Sequence, residues 1–399
     1  MKKIKLRSKE WFDNPKDPGL TAIYLERYLN YGLKRKDLQS GKPIIGIAQS
    51  GSDLSPCNRH ILDLSKNIKK GIVNAGGVPM EFPTHPIQET GKRPTAALDR
   101  NLSYLSLVEV LYGYPLDGVV LTTGCDKTTP AALMAAATVN IPSIILSGGP
   151  MLDGHYKGQK AGSGTIIWEA RKLYSKGEID YDQFMDMATA SSPSVGHCNT
   201  MGTASTMNSI AEALGMSLPG CAIIPAPYPE RKKISYKTGQ RIVNMVRENL
   251  TPSKIMTKKA FENAVVVASA IGGSSNATTH LLAIAKHMGI KFDLSNWQKL
   301  GHKIPLLVDC QPAGKYLMEG FYKAGGVPAV MKELIKNKKL NIKVKTVTGK
   351  NLGENLKSKI KVNSKVIKTF KKNLSQNAGF LVLKGCLLYT SDAADDEER

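Results

Sequence analysis

The chain has 399 residues, 42% of them hydrophobic, which is normal for a folded protein with a buried core. Its formal charge is +22, a balance that ordinarily favours a nucleic-acid partner. More than half of that charge comes from residues 331–372, where fourteen lysines face two acids. Because no arginine occurs there and aromatic interleaving is missing, we interpret this stretch as a solvated surface and predict no nucleic-acid partner.

The amino-terminal residues are basic, and no apolar stretch follows them as in a signal peptide. No later apolar run approaches the roughly 20 residues needed to span a bilayer. We therefore expect a cytoplasmic protein with no membrane partner. In that reducing compartment the six cysteines are expected to be free, metal-bound or catalytic rather than paired in disulfides.

Short apolar runs rich in β-branched residues alternate with helical stretches along the chain. The runs predict buried parallel strands at 43–48, 117–122, 141–146 and 304–308. Helical patterns cover 61–74, 130–138, 277–287 and 328–337. This alternation predicts an α/β fold with a doubly wound, mostly parallel sheet flanked by helices.

Three cysteines lie in polar loops that contain glycine or proline: Cys57 in Ser-Pro-Cys-Asn, Cys125 in Gly-Cys-Asp-Lys and Cys198 in Gly-His-Cys-Asn. The others, which have apolar neighbours as buried structural cysteines normally do, are Cys221, Cys310 and Cys386. The three exceptions indicate a thiolate site, which could hold an iron–sulfur cluster with one iron left open to substrate. Zinc is the rival on thiolate count alone, although no Cys-x-x-Cys pair is present.

The predicted strands bring two of these loops to one edge of the sheet. Cys57 and Cys125 follow the runs 43–48 and 117–122, beyond the carboxyl ends, where open α/β sheets form their ligand crevices. Cys198 precedes a small, polar segment that leads into a helical pattern at 210–215. A helix N-terminus stabilises a thiolate or a bound anion, so a third ligand is physically sensible there.

Four motifs occur in a fixed order: Ser-Asp-Leu-Ser-Pro-Cys-Asn at 52–58, Thr-Gly-Cys-Asp-Lys-Thr-Thr-Pro at 123–130, Cys-Asn-Thr-Met-Gly-Thr-Ala at 198–204 and Gly-Gly-Ser-Ser-Asn-Ala at 272–277. Together they resemble the dihydroxy-acid and sugar-acid dehydratases, a family of iron–sulfur hydro-lyases. The resemblance runs from Leu6 to Val347. It implies an enzyme that removes water from a 2,3-dihydroxy carboxylate to give a 2-keto-3-deoxy acid.

The resemblance implies that Cys57, Cys125 and Cys198 ligate the cluster, with [2Fe–2S] favoured over [4Fe–4S]. It also implies a magnesium ion held by Glu89, Asp126 and Lys127, with Lys127 carbamylated and catalytic. We assign residues 1–380 to this cluster- and magnesium-binding domain, with its lysine-rich end at 331–372. The family's base is a serine from a carboxyl-terminal, β-rich domain, and nothing resembling that domain occurs in the chain. We therefore expect a truncated enzyme with little turnover.

Weaker predictions concern the residues around the cysteines. Asp53 and His60 flank the first cysteine and His197 precedes the third, so each is a candidate for a supporting contact, although a lone histidine is more often simply hydrogen-bonded in the fold. The loop at 272–276 is rich in donors and suits an anionic group, but a plain helix entry explains it equally well.

The motif variants resemble the sugar-acid branch, which dehydrates pentonates such as arabinonate or xylonate. The alternative is the dihydroxy-acid dehydratase of valine and isoleucine biosynthesis, and an alternative of another class is a basic nucleic-acid-binding module. The resemblance also implies a homodimer or homotetramer in the intact protein. We interpret the acidic, low-complexity residues 385–399 as a tail foreign to the natural protein.

Overall fold

The computed structural model describes residues 5–87, 96–377 and 379–383. A parallel sheet lies at its centre, with the strand order β2-β1-β3-β4. The strands are β1 (Ile44–Gln49), β2 (Val78–Pro83), β3 (Gly118–Thr123) and β4 (Ser143–Ser147). Every residue of β1, β3 and β4 is buried, as expected for apolar strands covered on both faces. β2 contains two prolines, which cannot donate to a ladder, and it occupies an edge.

A short antiparallel hairpin, β5 (Gly154–Tyr156) and β6 (Gln159–Ala161), follows the sheet. Within the described residues the α-helices are, in chain order, α1 (Lys9–Phe12), α2 (Pro18–Leu29), α3 (Arg35–Leu38), α4 (Ile61–Asn74), α5 (Ala97–Gly113), α6 (Thr128–Val139), α7 (Thr165–Ser175), α8 (Tyr181–Thr189), α9 (Thr203–Ala213), α10 (Pro229–Arg247), α11 (Pro252–Ile255), α12 (Lys258–Ala270), α13 (Asn276–His287), α14 (Leu294–Gly301), α15 (Met318–Lys323), α16 (Gly326–Lys336) and α17 (Leu352–Asn355).

Helices flank the sheet in pairs. α4 and α10 pack against each other and against the strands, while α6 packs on β3 and β4 with α5 behind it. α4 is helical because its apolar residues recur every three or four positions, and Ile61, Leu64, Ile68 and Ile72 on that stripe are all buried. α9 is buried along its whole length, polar residues included, and packs against α6 and α12. The predicted α/β fold class is confirmed.

The chain direction creates a crevice between two strands. From β1 the chain passes to β2 on one side, and then returns to place β3 on the other side of β1. Such a reversal leaves the loops that follow β1 and β3 diverging at their carboxyl ends, where open α/β sheets bind ligands. Cys57 lies in a 3-10 turn (Pro56–Asn58) after β1, and Cys125 follows β3 directly.

Three of the predicted strands are confirmed, and the helices predicted at 61–74, 130–138, 277–287 and 328–337 are confirmed with bounds that differ by a few residues at most. The helix predicted at 210–215 is α9, which begins earlier, at Thr203, within the small and polar segment. The prediction of a parallel strand at 304–308 is wrong. Leu306 and Val308 form only isolated antiparallel bridges, to Ser375 and Ile367. Their backbone partners come from an irregular segment near residue 370, so the apolar run is buried and paired but joins no sheet. No α-helix in the described ranges combines the length and apolar character that crossing a membrane requires.

Candidate metal centre

One cavity brings together the three cysteines that the sequence singled out. Cys57, Cys125 and Cys198 all line it, together with Asp126. Its volume is about 200 Å³, several times the roughly 30 Å³ that a water molecule occupies in the liquid. The floor is the first turn of α9, where Gly202, Thr203 and Ala204 also line the cavity. The fold therefore brings the three cysteine loops to one place, as the sequence predicted.

A buried asparagine joins the first two cysteine loops. Asn58 directly follows Cys57 and is fully buried. Its Oδ1 accepts a hydrogen bond of 3.0 Å from the backbone N–H of Cys125, and its Nδ2 lies 3.4 Å from the Ser50 hydroxyl. The carboxyl ends of β1 and β3 are thus tied together at the cysteines themselves. A Cβ on Gly124 would lie 2.2 Å from Asn58 Oδ1, so only glycine fits before Cys125.

The turn from Cys125 into α6 is fixed by Thr128. Its hydroxyl accepts a hydrogen bond of 3.0 Å from the backbone N–H of Gly124 and donates one of 2.7 Å to the carbonyl of Cys125. A threonine in this position closes the turn on itself and begins the helix. The Cys125 side chain is therefore presented at the N-terminus of α6, where the helix dipole favours a thiolate.

The third cysteine loop runs beside the residues that follow β4. The N–H of His197 donates to the carbonyl of Gly149 (3.0 Å), and the His197 carbonyl accepts from Met151 (2.9 Å). These two bonds make a parallel bridge between Pro150 and His197, so Cys198 extends the carboxyl edge of the sheet. Three adjacent strands, β1, β3 and β4, thereby position the three cysteines.

The environment of Cys198 disfavours a free thiolate. Burial raises the pKa of its thiol, and the nearby charges of Asp126 and Cys125 raise it further, while a hydrogen bond with Ser163 acts in the opposite direction. Negative groups that face one another in a buried cavity are stable only when protonated or when they share a cation. A positively charged iron centre would hold these thiols as thiolates, so the residues present fit such a group.

The described residues hold no group of three or more His, Cys, Asp or Glu side chains arranged around a single metal ion. An iron–sulfur cluster spreads its ligands over several iron and sulfide atoms, so its thiolates need not converge on one point. The described residues therefore do not present the ligand set that a single zinc ion takes.

The structure describes two of the three predicted magnesium ligands, and only one of these two lines the cavity. Asp126 lines the cavity. Lys127 is 7% exposed and lies toward α13, where its charge and that of Arg100 add to burial in lowering the pKa of His280 to about 3. Glu89 lies outside the described residues, so its position relative to Asp126 stays a prediction.

Of the weaker candidates, His197 lines the cavity, whereas Asp53 and His60 do not. Asp53 is exposed and ion-paired with Arg59. His60 is buried, and its Nε2 lies 2.8 Å from the carbonyl oxygen of Gly148. Because a carbonyl oxygen can only accept, Nε2 carries the proton and donates it. This hydrogen bond holds Gly148, the residue that follows β4, and is not made to a cysteine.

The loop at 272–276 packs against the first turn of α9. The hydroxyl of Ser274 lies 2.9 Å from that of Thr203, and Asn276 Nδ2 donates to the same Thr203 oxygen at 3.2 Å. Because Thr203 lines the cavity, this loop forms the layer behind one of its walls.

Two buried asparagines were missed by sequence reasoning, Asn58 and Asn208. Asn58 belongs to the motif at 52–58, but the sequence did not indicate that it joins two cysteine loops. Asn208 lies within α9, whose polar residues are buried on every face. Polar residues at successive positions of a helix with no exposed face are the signal that could have identified it, because buried polar groups must find partners.

The fold and the cavity define an α/β protein in which loops at the carboxyl edge of a parallel sheet bring three cysteines together, and comparison with known proteins identifies the family. Residues 42–355 match the family described as dihydroxy-acid/6-phosphogluconate dehydratase, N-terminal. The chain belongs to this family, and the resemblance recognised in the sequence is confirmed.

Curated relatives carry more particular names. The chain is 58% identical over 383 residues to the D-xylonate dehydratase of Caulobacter vibrioides, covering 96% of this chain and 64% of that protein. It is 45% identical to the L-arabinonate dehydratase of Rhizobium leguminosarum bv. trifolii, covering 96% and 66%. A dihydroxy-acid dehydratase of Halothermothrix orenii is 38% identical over 360 residues, covering 89% and 65%. The chain thus spans about two thirds of the length of these relatives.

Proposed function

We propose that this chain carries the cluster-binding half of a hydro-lyase site that removes water from a 2,3-dihydroxy sugar acid to give a 2-keto-3-deoxy acid. The observation that carries the proposal is the single cavity lined by Cys57, Cys125 and Cys198, with Asp126 among them. Three thiolates fall short of the four that commonly saturate an iron–sulfur cluster, and so leave one iron position for substrate.

The residues of the chain have distinct parts in this proposal. The three cysteines would hold the cluster, [2Fe–2S] in preference to [4Fe–4S], and Asp126, Lys127 as a carbamate and Glu89 would hold Mg²⁺. When bound, these groups supply a Lewis acid for the departing hydroxyl and positive charge for the substrate carboxylate. The N-terminus of α9 presents backbone N–H groups to the same cavity, which favours an anionic substrate.

Identity to relatives supports a sugar acid as substrate. The relatives named for xylonate and arabinonate are 58% and 45% identical to the chain, whereas dihydroxy-acid dehydratases are 38% and 39% identical. We therefore rank a pentonate above the dihydroxy acids of branched-chain amino-acid biosynthesis. A cytoplasmic location and a homodimer or homotetramer belong to the proposal as expectations from the family resemblance and the cysteine contexts.

The first test measures cluster uptake, because the chain spans only part of its relatives and turnover could depend on the remainder. The protein is reconstituted anaerobically with iron and sulfide, and iron, sulfide and visible absorption are measured per chain. We expect a coloured protein with equal iron and sulfide. Replacing Cys57, Cys125 or Cys198 with Ser should lower the cluster content by about 10-fold or more, since even supporting contacts of a metal site are worth that much.

Cys221→Ser is the matched control. Cys221 is fully buried and lies 3.7 Å from Arg231 Nη1, which can donate to a serine hydroxyl in its place. This variant should take up as much cluster as the unmodified chain. A folded but colourless protein, or equal loss in Cys221→Ser, would overturn the cluster assignment.

Substrate class is tested on the loaded chain by spectroscopy. D-Xylonate, L-arabinonate and 2,3-dihydroxyisovalerate are titrated while the cluster's absorption and, after reduction, its electron paramagnetic resonance are followed. A pentonate should change the spectra at a lower concentration than the branched dihydroxy acid. The reverse order, or no change with any of the three, would contradict a sugar-acid site.

A further inference from the structure

Asn208 lies in the middle of α9 and is 1% exposed. Its Oδ1 accepts hydrogen bonds from the hydroxyls of Thr129 at 2.8 Å and Thr123 at 3.2 Å. Thr123 is the last residue of β3, and Thr129 lies in the first turn of α6. The oxygen of one side chain therefore contacts the chain on both sides of Cys125.

The nitrogen of the same amide reaches both cysteine loops. Nδ2 lies 3.3 Å from the carbonyl oxygen of Gly124 and 3.2 Å from Nε2 of His197. Gly124 immediately precedes Cys125, and His197 immediately precedes Cys198. An asparagine amide offers two acceptor and two donor positions, and all four are used here.

These contacts fix the orientation of two side chains. The carbonyl of Gly124 can only accept, so Nδ2 and not Oδ1 must face it. The same nitrogen then donates to His197 Nε2, which leaves the proton of the neutral imidazole on Nδ1. His197 Nδ1 lies 3.0 Å from the carbonyl of Cys198, to which it donates. A continuous set of hydrogen bonds thus runs from Gly124 through Asn208 and His197 to Cys198.

We propose that Asn208 is a positioning residue that sets the separation of the Cys125 and Cys198 loops through its amide and through His197, and so holds the cavity in a cluster-binding geometry. The link to cluster binding rests on the proposed function, whereas the positioning of the two loops does not. Asn208 is not among the residues that line the cavity. It acts on the backbone that carries them.

The need for such a residue follows from the geometry of the site. Cys125 and Cys198 line the same cavity but lie on loops that follow different parts of the chain, Cys125 directly after β3 and Cys198 after the bridge between His197 and Pro150. Contacts between these loops must set their separation before a cluster is assembled. Fully satisfied buried polar networks provide that rigidity, whereas partly satisfied ones are costly.

The test compares Asn208→Asp with Asn263→Asp. Aspartate keeps the size and acceptors of asparagine but supplies at most one donor, so Asn208→Asp loses at least one of its bonds to Gly124 and His197. Asn263 is the matched control, because it is equally buried at 1% in α12 and exchanges hydrogen bonds of 2.7 Å and 3.1 Å with the backbone of Asn341. Both variants lose an internal amide, but only one faces the cysteine loops.

The first measurement is hydrogen exchange of the chain before cluster loading. In the described structure the backbone N–H groups of Gly124, Cys125 and His197 are hydrogen-bonded, so they exchange when the loops open. We expect Asn208→Asp to speed exchange in segments 124–126 and 197–199 by about 10-fold, the equivalent of one hydrogen bond. Asn263→Asp should leave both segments unchanged.

The second measurement is cluster content after reconstitution and the rate of cluster loss to a chelator. Asn208→Asp should hold less cluster and lose it about 10-fold faster than the unmodified chain, within the range seen for supporting contacts of metal sites. Asn263→Asp should match the unmodified chain. If Asn208→Asp does not fold, Thr129→Val removes only the 2.8 Å bond and should give the same changes at smaller size.

The two measurements distinguish failure of the proposed function from failure of the positioning role. An unmodified chain that takes up no cluster overturns the proposed function, and the exchange comparison still decides whether Asn208 positions the loops. Unchanged exchange in both segments in Asn208→Asp, or the same acceleration in Asn263→Asp, overturns the positioning role. Faster exchange with unchanged cluster content and lifetime overturns its link to cluster binding.

Discussion

Burial controls the protonation of several histidines. His60, His197 and His280 are all buried, and burial is the main reason why the pKa of each is lowered, to about 3 for His197 and His280. Each would have a pKa near 6.5 in the unfolded chain. Below that pH the unfolded chain binds protons that the folded chain does not, so the folded state loses stability as the pH falls.

We expect the three histidines to make the free energy of unfolding fall as the pH falls from about 6.5 to about 5, by at most about 4 kcal/mol per pH unit. Glu212 opposes them, because burial raises its pKa to about 7 and the folded chain therefore holds a proton there that the unfolded chain loses above about pH 4.5. Urea unfolding across this range measures the slope. His280→Gln should reduce the slope by about one proton, since Gln can still accept from Arg100 but does not titrate.

The control is His155, which is exposed. His155→Gln should leave the slope as it is in the unmodified chain. A slope that His280→Gln leaves unchanged would show that His280 binds protons in the folded state as readily as in the unfolded state.

The cysteines of the site could be recognised from sequence because their polar, glycine- and proline-containing loops are unusual surroundings for a thiol. The asparagines that hold those loops could not. Asn58 lies 67 residues along the chain from Cys125, whose N–H donates to it. Asn208 lies 84 residues along the chain from Gly124, whose carbonyl accepts from it. A hydrogen-bond partner across that distance leaves no local pattern in a single sequence, whereas an unusual neighbour does.

The packing of α4 against α10 depends on two glycines. A Cβ placed on Gly71 of α4 would lie 2.1 Å from the carbonyl oxygen of Tyr236, and one on Gly239 of α10 would lie 2.2 Å from that of Ile68. Both obstacles are backbone atoms, which cannot rotate away. The two helices therefore approach closely only because neither residue has a side chain.

We expect Gly71→Ala and Gly239→Ala each to lower the free energy of unfolding by about 1–3 kcal/mol, the usual cost of forcing atoms into a packed core. Helix propensity alone would favour alanine by up to about 1 kcal/mol, so the sign of the result separates the two effects. Thermal or urea unfolding measures the change.

Gly113→Ala is the control for this comparison. Gly113 is the last residue of α5, and nothing lies within 4 Å of its added Cβ. It should be neutral or slightly stabilising. If Gly71→Ala and Gly239→Ala behave like Gly113→Ala, the helices can separate without cost and the close approach is not needed.

Periodicity predicted those elements whose burial is regular. β1, β3 and β4 are apolar at nearly every position, and α4 has its stripe, so each could be recognised locally. β2 was missed because its sequence, Val-Pro-Met-Glu-Phe-Pro, has two prolines and a half-buried edge pattern. The run at 304–308 was misassigned because apolar burial alone does not say where the backbone partners are.

The positive charge of the chain is concentrated in the segment that follows α15. Residues 331–372 carry fourteen of its lysines. In the structure several of these lysines contact their own segment: Lys368 donates to the carbonyl of Lys365 at 2.9 Å, and Lys336 pairs with Glu333 at 3.5 Å. Local contacts of this kind fit a solvated surface. A nucleic-acid site needs cations aligned along a phosphate backbone, with aromatic or arginine side chains between them.

We therefore expect no duplex or single strand to bind at about 0.15 M salt, with electrophoretic retardation and anisotropy as the measurements. At low salt, weak binding with a slope set by the number of phosphates neutralised is expected of any chain with a charge of +22. The informative variant changes four exposed or half-exposed lysines to Gln together: Lys365, Lys368, Lys371 and Lys372.

A second quadruple variant removes the same charge from exposed lysines elsewhere in the chain: Lys34, Lys36, Lys232 and Lys233. If only the total charge matters, both variants lower the low-salt affinity equally, because each removes four cations from the same overall field. Binding at 0.15 M salt that the 365–372 variant abolishes and the second variant preserves would instead require an organised polyanion site in the lysine-rich segment. The site at the cysteines would then serve a protein with two separate activities, since that segment contributes no residue to the cavity where the three cysteines meet.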